Sequence, residues 1–345
     1  MVMTTFRAAW AVLQHHTGVV IPVYLPHGPD REPSIALLRD TVSAYCTHVA
    51  DPGHVCLSVD GAACGGDVVR QMASEFNVSV RVSPENKGKL QGAIIGVRGL
   101  LENPDLRYIT VVDQDSDHFA NEWLNFVRAA EHSRTQSGDG RVMVLGRRIS
   151  RHRPMGFLRG ELEELADRML LNALHYHAAT TGVPLRLEYA SLLDAVPDFL
   201  SGYKLFDRAT AEAVFTGEPH LAGCSERSYY QHACEVVMSV EALESGARLV
   251  VVNRSTLNEQ PVSMFGKLDQ TQLTADMIIW SCKRLGVPGH FVHQWLANHA
   301  PRLQLNTLVP AGQEEIRQIQ HDVGLAFDVI GANEKRTPSL QPLFI

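Results

Sequence analysis

The stretch Tyr108 to Trp123 reads YITVVDQDSDHFANEW, and its two halves ask for different surroundings. Tyr108 to Val112 is apolar and rich in β-branched residues, the pattern of a buried strand. Asp113, Asp115 and Asp117 then follow at every second position. A carboxylate at the end of a buried strand needs a compensating partner. The acids therefore argue for a strand that ends at a ligand site, not in a plain loop.

Outward from this stretch, strands and helices alternate. Gly18 to Pro26 (GVVIPVYLP), His54 to Gly61 (HVCLSVDG) and Val78 to Ser83 (VSVRVS) read as strands. Ser34 to Ala50 has helical apolar spacing at Ile35, Leu38, Val42 and Tyr45, with Ser34 as the expected N-cap. Asp67 to Asn77 and Lys89 to Leu101 are further helices. Such alternation predicts right-handed βαβ units and a mostly parallel sheet flanked by helices, a Rossmann-like α/β fold. Ligands of such sheets bind at the carboxyl ends of strands, where Asp60 and Asp113 fall. Farther on, Val142 to Ile149, Phe199 to Arg208 and Ala247 to Asn253 read as strands. Glu161 to Thr180 and Tyr229 to Ser245 read as helices. Gly202, inside FLSGYKLFDR, marks a place for close backbone approach. Gly246 is the expected C-cap of the helix before the last strand.

The 345 residues, 45% apolar and 20% charged, are ample for a core and give no sign of global disorder. A net charge of −7 argues against a nucleic-acid-coating surface. None of the six cysteines forms a CxxC pair, so they read as reduced thiols of a cytoplasmic protein. MVMTTFRAAWAVLQHH has too short an apolar stretch for a signal peptide, and no apolar run approaches a membrane span.

Carboxylates are hard oxygen ligands, and an Asp-x-Asp loop can turn two of them toward Mn²⁺ or Mg²⁺. Asp113 and Asp115 are the candidate ligands. Asp117 or Asn121 is expected to cap the helix near Glu122. Asp60 serves either a ligand or the turn before Gly61. Lys87 and Lys89 flank Gly88 at a helix start, where a cation and free amides suit a diphosphate, although solvated loop lysines would look the same.

Six stretches, in order, resemble the nucleotide-sugar-dependent glycosyltransferases of the GT-A fold, family 2 in particular. They are IPVY (Ile21 to Tyr24), SVDGA (Ser58 to Ala62), ENKGKLQGAIIGVRGLL (Glu85 to Leu101), VVDQDSD (Val111 to Asp117), SGYKLFDRATAEAVF (Ser201 to Phe215) and CEVVMSVEALESGARLVVV (Cys234 to Val252). The resemblance covers roughly residues 17 to 260. It implies a catalytic domain over 1–260, with a nucleotide-sugar half at about 17–118 and an acceptor half at about 140–260. It further implies a nucleotide site at Pro22, Tyr24 and Asp60, and a donor site at Lys89, Asp113 and Gln114. The metal would sit on Asp113 and Asp115. Glu235 would be the general base of an inverting, non-processive transfer to a soluble acceptor hydroxyl. Glu226, in the loop between Gly217 and Ser228, is the rival base.

The chain also departs from the family. Val59 stands where the second strand usually adds an acid, Cys234 stands before Glu235, and Gly96 replaces the asparagine of the helix motif. The QxxRW signature of processive synthases is absent. The segment after the last core strand, VVNRSTLNEQ, has Asn253, Asn258 and Glu259 but no histidine, so the third metal ligand stays open.

Two other readings keep a place. A nucleotidyltransferase would need a Gly-rich loop after the first strand, where this chain has LPHGPDREP. A non-catalytic nucleotide-sugar-binding protein would fit Val59 and Cys234. Residues 261–345 match no core motif. The expected helices at Leu273 to Leu285 and His290 to Asn298 suit packing on the core, covering the acceptor site, or a homodimer contact.

Overall fold

The computed structural model describes residues 5–29, 31–138, 140–190, 196–257, 269–303, 305–309 and 312–329. In chain order the elements are α1 (Phe6–His16), β1 (Thr17–Val23), α2 (Arg31–Cys46), β2 (Val55–Val59), α3 (Gly66–Phe76), β3 (Ser79–Val82), α4 (Lys89–Leu101) and β4 (Tyr108–Val111). There follow α5 (Trp123–Ser137), β5 (Val142–Arg148), α6 (His152–Met155), α7 (Phe157–Thr181), β6 (Lys204–Asp207), α8 (Arg208–Thr216), α9 (Cys234–Glu244) and β7 (Arg248–Arg254). The chain continues through α10 (Gln270–Arg284), α11 (Gly289–His299), α12 (Leu305–Leu308) and α13 (Gly312–Ala326).

Several expected boundaries move. α2 opens at Arg31, so Ser34 lies buried in its first turn and is not the cap. α5 opens at Trp123 without a side-chain cap bond. Asn121 sits in the 3-10 turn before it, and Asp117 is drawn into an ion pair with Arg254, so neither caps the helix. Only Lys204–Asp207 of the expected Phe199 to Arg208 strand pairs with the sheet. Asp207 accepts a hydrogen bond from the Ala209 amide and turns the chain into α8. The expected helix from Tyr229 opens as a π-helical turn, Ser228–His232, before α9. Asn258, Glu259 and the expected polar tail after Thr337 lie outside the described residues.

The seven strands form one sheet in the order β3-β2-β1-β4-β6-β5-β7. β1, β2, β3 and β4 pair in parallel, as do β5 and β7, while β6 runs antiparallel to both β4 and β5. One sheet edge therefore collects the carboxyl ends of every strand except β6, together with the amino end of β6. β1 is also the point where the chain, having built outward through β2 and β3, returns on the other side to β4. Clefts in open α/β sheets form at such switch points.

Alternating side chains divide between the two faces of the sheet, as strand geometry requires. Val19 and Ile21 join Leu38, Tyr45, Trp123 and Phe126 on one face. Val20 joins Ala93, Val97, Leu165, Val237 and Trp280 on the other. α10 belongs to that second core. Its Trp280 is wholly buried and donates from Nε1 to the His220 carbonyl at 3.0 Å. No described helix is long and apolar enough to cross a membrane, and all six cysteines are unpaired.

Gly96 explains how α4 reaches the cleft. A Cβ there would stand 2.3 Å from Val20 Cγ1 and 3.0 Å from Ser58 Cβ. The helix therefore rests directly on β1 and β2, and its first residue, Lys89, arrives at their carboxyl ends. An alanine would gain helix propensity, about 1 kcal/mol, but it would overpack against buried strands that have no room to shift. Gly96→Ala is expected to destabilise the protein by about 1–3 kcal/mol, read as a lower urea midpoint at unchanged m-value.

Candidate active site

A cleft of about 490 Å³ opens along the sheet edge where the strand ends gather. That size lies within the usual range for small-ligand and cofactor sites. Pro22, Tyr24, Asp60, Lys89, Asp113, Gln114, Asp115 and Glu235 all line it. Glu226 does not. It is largely exposed and reaches Lys87 at 3.3 Å, outside the cleft.

Lys89 stands at the centre of the charges. Its Nζ lies 2.5 Å from Asp113 Oδ1 and 2.6 Å from Glu235 Oε1. Burial alone would raise the Asp113 pKa, but the Lys89 ammonium overrides it and holds the carboxyl well below its usual range. Burial likewise opposes the Lys89 charge, and Asp113 and Glu235 keep it protonated.

The acidic turn itself is bent by Ser116, which adopts the left-handed conformation at φ 63°. α2 holds that bend. Ser116 Oγ donates to the Leu37 carbonyl at 2.9 Å and lies 3.0 Å from Thr41 Oγ1. Asp117 turns inward, meeting Arg254 at 3.0 Å and accepting the Leu257 amide at 2.7 Å. Asp115 stays at the cleft wall. Burial first, and then the neighbouring charges of Asp113 and Asp117, push its pKa up to about 7.

Behind Asp113 the packing leaves no slack. The Asp113 amide donates to His118 Nδ1 at 2.8 Å, so that nitrogen carries no proton. Burial, with the Arg254 guanidinium, keeps the ring neutral far below its ordinary pKa. A Cβ on residue 202 would come within 2.6 Å of Asp113 Oδ2 and 2.9 Å of His118 Cε1. The glycine in the segment leading into β6 is there because β6 delivers its amino end to the same edge that β4 delivers Asp113.

The remaining sequence candidates are placed but partly occupied. Gln114 Oε1 accepts the Tyr24 amide at 2.8 Å and its Nε2 donates to the Tyr24 carbonyl at 3.0 Å. Its side chain thus continues the β1–β4 ladder one step beyond the strands. Asp60 Oδ2 accepts the Lys87 and Gly88 amides, both at 2.5 Å, and its Oδ1 accepts Ser83 Oγ at 2.7 Å. Asp60 therefore pins the turn that launches α4. The Tyr24 ring is partly exposed at the cleft mouth.

Some cleft residues were not among the sequence candidates. Arg148, at the end of β5, is buried between Asp198 and Glu163, with 2.7 Å contacts to each. Arg159 closes the group through Glu163 at 2.8 Å. Arg148 ends the expected strand Val142 to Ile149, and the strand-end rule that found Asp60 and Asp113 applies equally to it. His232, in the π turn, also lines the cleft. Among the described residues, no three or more His, Cys, Asp or Glu side chains stand together as a metal-binding group. Asp113 and Asp115 are the candidate ligands that remain on the cleft wall.

No protein-family model matches the sequence, and no curated protein does either. Among solved structures, the chain is similar to a 4-diphosphocytidyl-2C-methyl-D-erythritol synthase from Anaerococcus prevotii. The identity is 11% across 79% of this chain and 96% of that one, with a TM-score of 0.38. It is also similar to S. aureus TarS 1–349, at 11% identity across 91% of this chain and 90% of that one, with a TM-score of 0.41.

The raised Asp115 pKa has a consequence for stability. The folded state binds a proton at Asp115 that the unfolded chain releases near pH 3.8. The contribution of this group is therefore complete below about pH 4 and is lost as pH rises through about 7. In metal-free solution, Asp115→Asn is expected to melt above wild type at alkaline pH, with the gap closing as pH falls towards about 4. Melting temperature against pH for the two proteins checks it.

Proposed function

We propose that the protein is a glycosyltransferase that moves a sugar from a nucleoside-diphosphate donor to an acceptor hydroxyl. One observation carries the reading. The acidic turn of Asp113 and Asp115 and the ammonium of Lys89 face one another at the β1–β4 switch point, beside Tyr24 and the Asp60-pinned turn. Such a pairing offers ligands for a divalent cation and a cation for a diphosphate within one cleft. The order of motifs that resembles the GT-A family supports the same chemistry.

The residues fit a hard divalent ion, Mn²⁺ or Mg²⁺. Burial, and then the carboxylates of Asp113 and Asp117, push the Asp115 pKa up to about 7, so a bound cation would favour its ionised form on this wall. Asp113 and Asp115 would hold the ion, and the ion would supply positive charge to the departing diphosphate. Lys89 adds a second positive charge on the same side, and would turn from Asp113 to phosphate as the donor enters while Glu235 keeps hold of it. Tyr24 offers an aromatic face at the cleft mouth for a nucleobase. The Lys87 and Gly88 amides are held by Asp60, so that turn orients Lys89 and does not itself bind phosphate.

The test is a thermal-shift screen of UDP, GDP and their sugars, with and without Mn²⁺, on wild type and Asp115→Ala. A ligand at 100 times its Kd stabilises the native state by about 2.7 kcal/mol. The expected result is a nucleotide-induced rise in Tm that needs Mn²⁺ and is lost in Asp115→Ala. Absence of any shift at millimolar nucleotide overturns the reading.

A further inference from the structure

The glycosyl-transfer reading leaves open which group takes the proton from the acceptor. Glu235 is the residue the motif order points to, but its Oε1 is bound to Lys89 at 2.6 Å and its side chain is largely buried. A carboxylate bound to a half-buried ammonium is committed to that partner, because leaving it costs the charge compensation of both. It serves instead to hold Lys89 at the amino end of α4.

One helical turn before Glu235, the chain departs from α geometry. Ser228–His232 forms a π-helical turn, closed by the Ala233 amide donating to the Ser228 carbonyl at 2.8 Å. Such turns are found often at functional sites, since they redirect a side chain that a regular helix would place elsewhere. Here the turn places His232 on the cleft wall, and Gln231 Nε2 ties it to the Lys87 carbonyl at 3.1 Å.

The partner of His232 comes from the C-terminal segment. His232 Nδ1 lies 2.5 Å from Asp276 Oδ2, and that carboxylate also accepts from Ser228 Oγ and Gln272 Nε2, both at 2.9 Å. Burial favours the neutral acid at Asp276, yet the hydrogen bonds from His232, Gln272 and Ser228 outweigh it and hold the carboxyl below its usual range. An ionised carboxylate only accepts, so Nδ1 carries the ring proton. Nε2 then keeps its lone pair and has no hydrogen-bond partner among the described residues. α10 presents Leu273 and Met277 to the same cleft, on the helix face that carries Asp276.

We infer that His232 is the catalytic base for the acceptor, with Asp276 as the residue that positions it and fixes its tautomer. The inference rests on the glycosyl-transfer reading and assigns a role within it. The acceptor O–H proton passes to His232 Nε2. The freed oxygen pair bonds the anomeric carbon of the donor sugar. The bond from that carbon to the β-phosphate oxygen breaks, and its electron pair leaves with the nucleoside diphosphate. The imidazolium formed is stabilised by Asp276 and returns its proton to water after product departs.

The experiment uses the full chain with the UDP- and GDP-sugar panel, Mn²⁺, and water or simple sugars as acceptors. Release of nucleoside diphosphate is followed in wild type, His232→Ala, His232→Gln and Asp276→Asn. His232→Ala is expected to lose about 10²–10⁴-fold in kcat at unchanged donor KM, with partial recovery on addition of imidazole. Asp276→Asn is expected to lower kcat at unchanged donor KM, without recovery by imidazole. A His232→Ala enzyme within tenfold of wild type overturns the assignment and leaves the glycosyl-transfer reading standing. So does a loss in which nucleotide binding also disappears for both His232→Ala and His232→Gln, since that marks a structural role. Wild type that neither binds nor cleaves any nucleotide-sugar removes the reading and the assignment together.

Discussion

A lysine held between two carboxylates sets the terms for this molecule. Lys89 reaches Asp113 at 2.5 Å and Glu235 at 2.6 Å, and these three residues come from α4, the end of β4 and the start of α9. Each is a charge that a sheet edge cannot bury alone. Much of the surrounding architecture is what brings them together. Gly96 lets α4 lie flat on β1 and β2, Asp60 pins the turn before Lys89, and Gly202 leaves space behind Asp113. The same logic recurs one layer out, where Asp117 meets Arg254 and Asp198 meets Arg148. The cleft is a place where strands end in charge and each charge is answered by an element from elsewhere in the chain.

The first half of the fold is legible because its signals are local. β1, β2, β3 and β4 are short apolar runs bounded by prolines, glycines and acids, and each is followed by a helix that packs back on the sheet. Parallel order then follows from connectivity alone. Asp60, Asp113 and Asp115 are legible for the same reason, as polar residues at the ends of buried runs. Pro22, Tyr24 and Gln114 also reach the cleft, although Gln114 spends its amide on the Tyr24 backbone.

What was not legible depends on partners far away in sequence. Asp117 looks like a helix cap until Arg254 is placed beside it, and the His232–Asp276 pair joins a π turn to a helix in a segment without family motifs. The π turn leaves no mark in apolar periodicity, since one extra residue in a turn shifts the pattern by less than its own scatter. The direction of β6 is equally hidden. A four-residue strand reads the same both ways, and only its pairing with β4 and β5 shows that it runs antiparallel. Glu226 fails for the opposite reason. Its loop sits near the cleft in sequence order, but its side chain turns out to solvent and Lys87.

The antiparallel β6 also dictates an order of events during synthesis. β4 emerges with β1 already available to pair, but its other edge waits for Lys204–Asp207, roughly ninety residues later. At about 5–20 residues per second, a ribosome leaves that edge open for between about 5 and about 20 s. β5 emerges within that interval and cannot take the place of β6 without reversing the sheet order. The nascent chain therefore passes through a state in which the four parallel strands show an open β4 edge while β5 has no partner strand yet, the kind of surface that other chains can join. β7 still follows, but it is the entry of β6 that brings Gly202 up behind Asp113, so this wall of the cleft waits for the antiparallel strand.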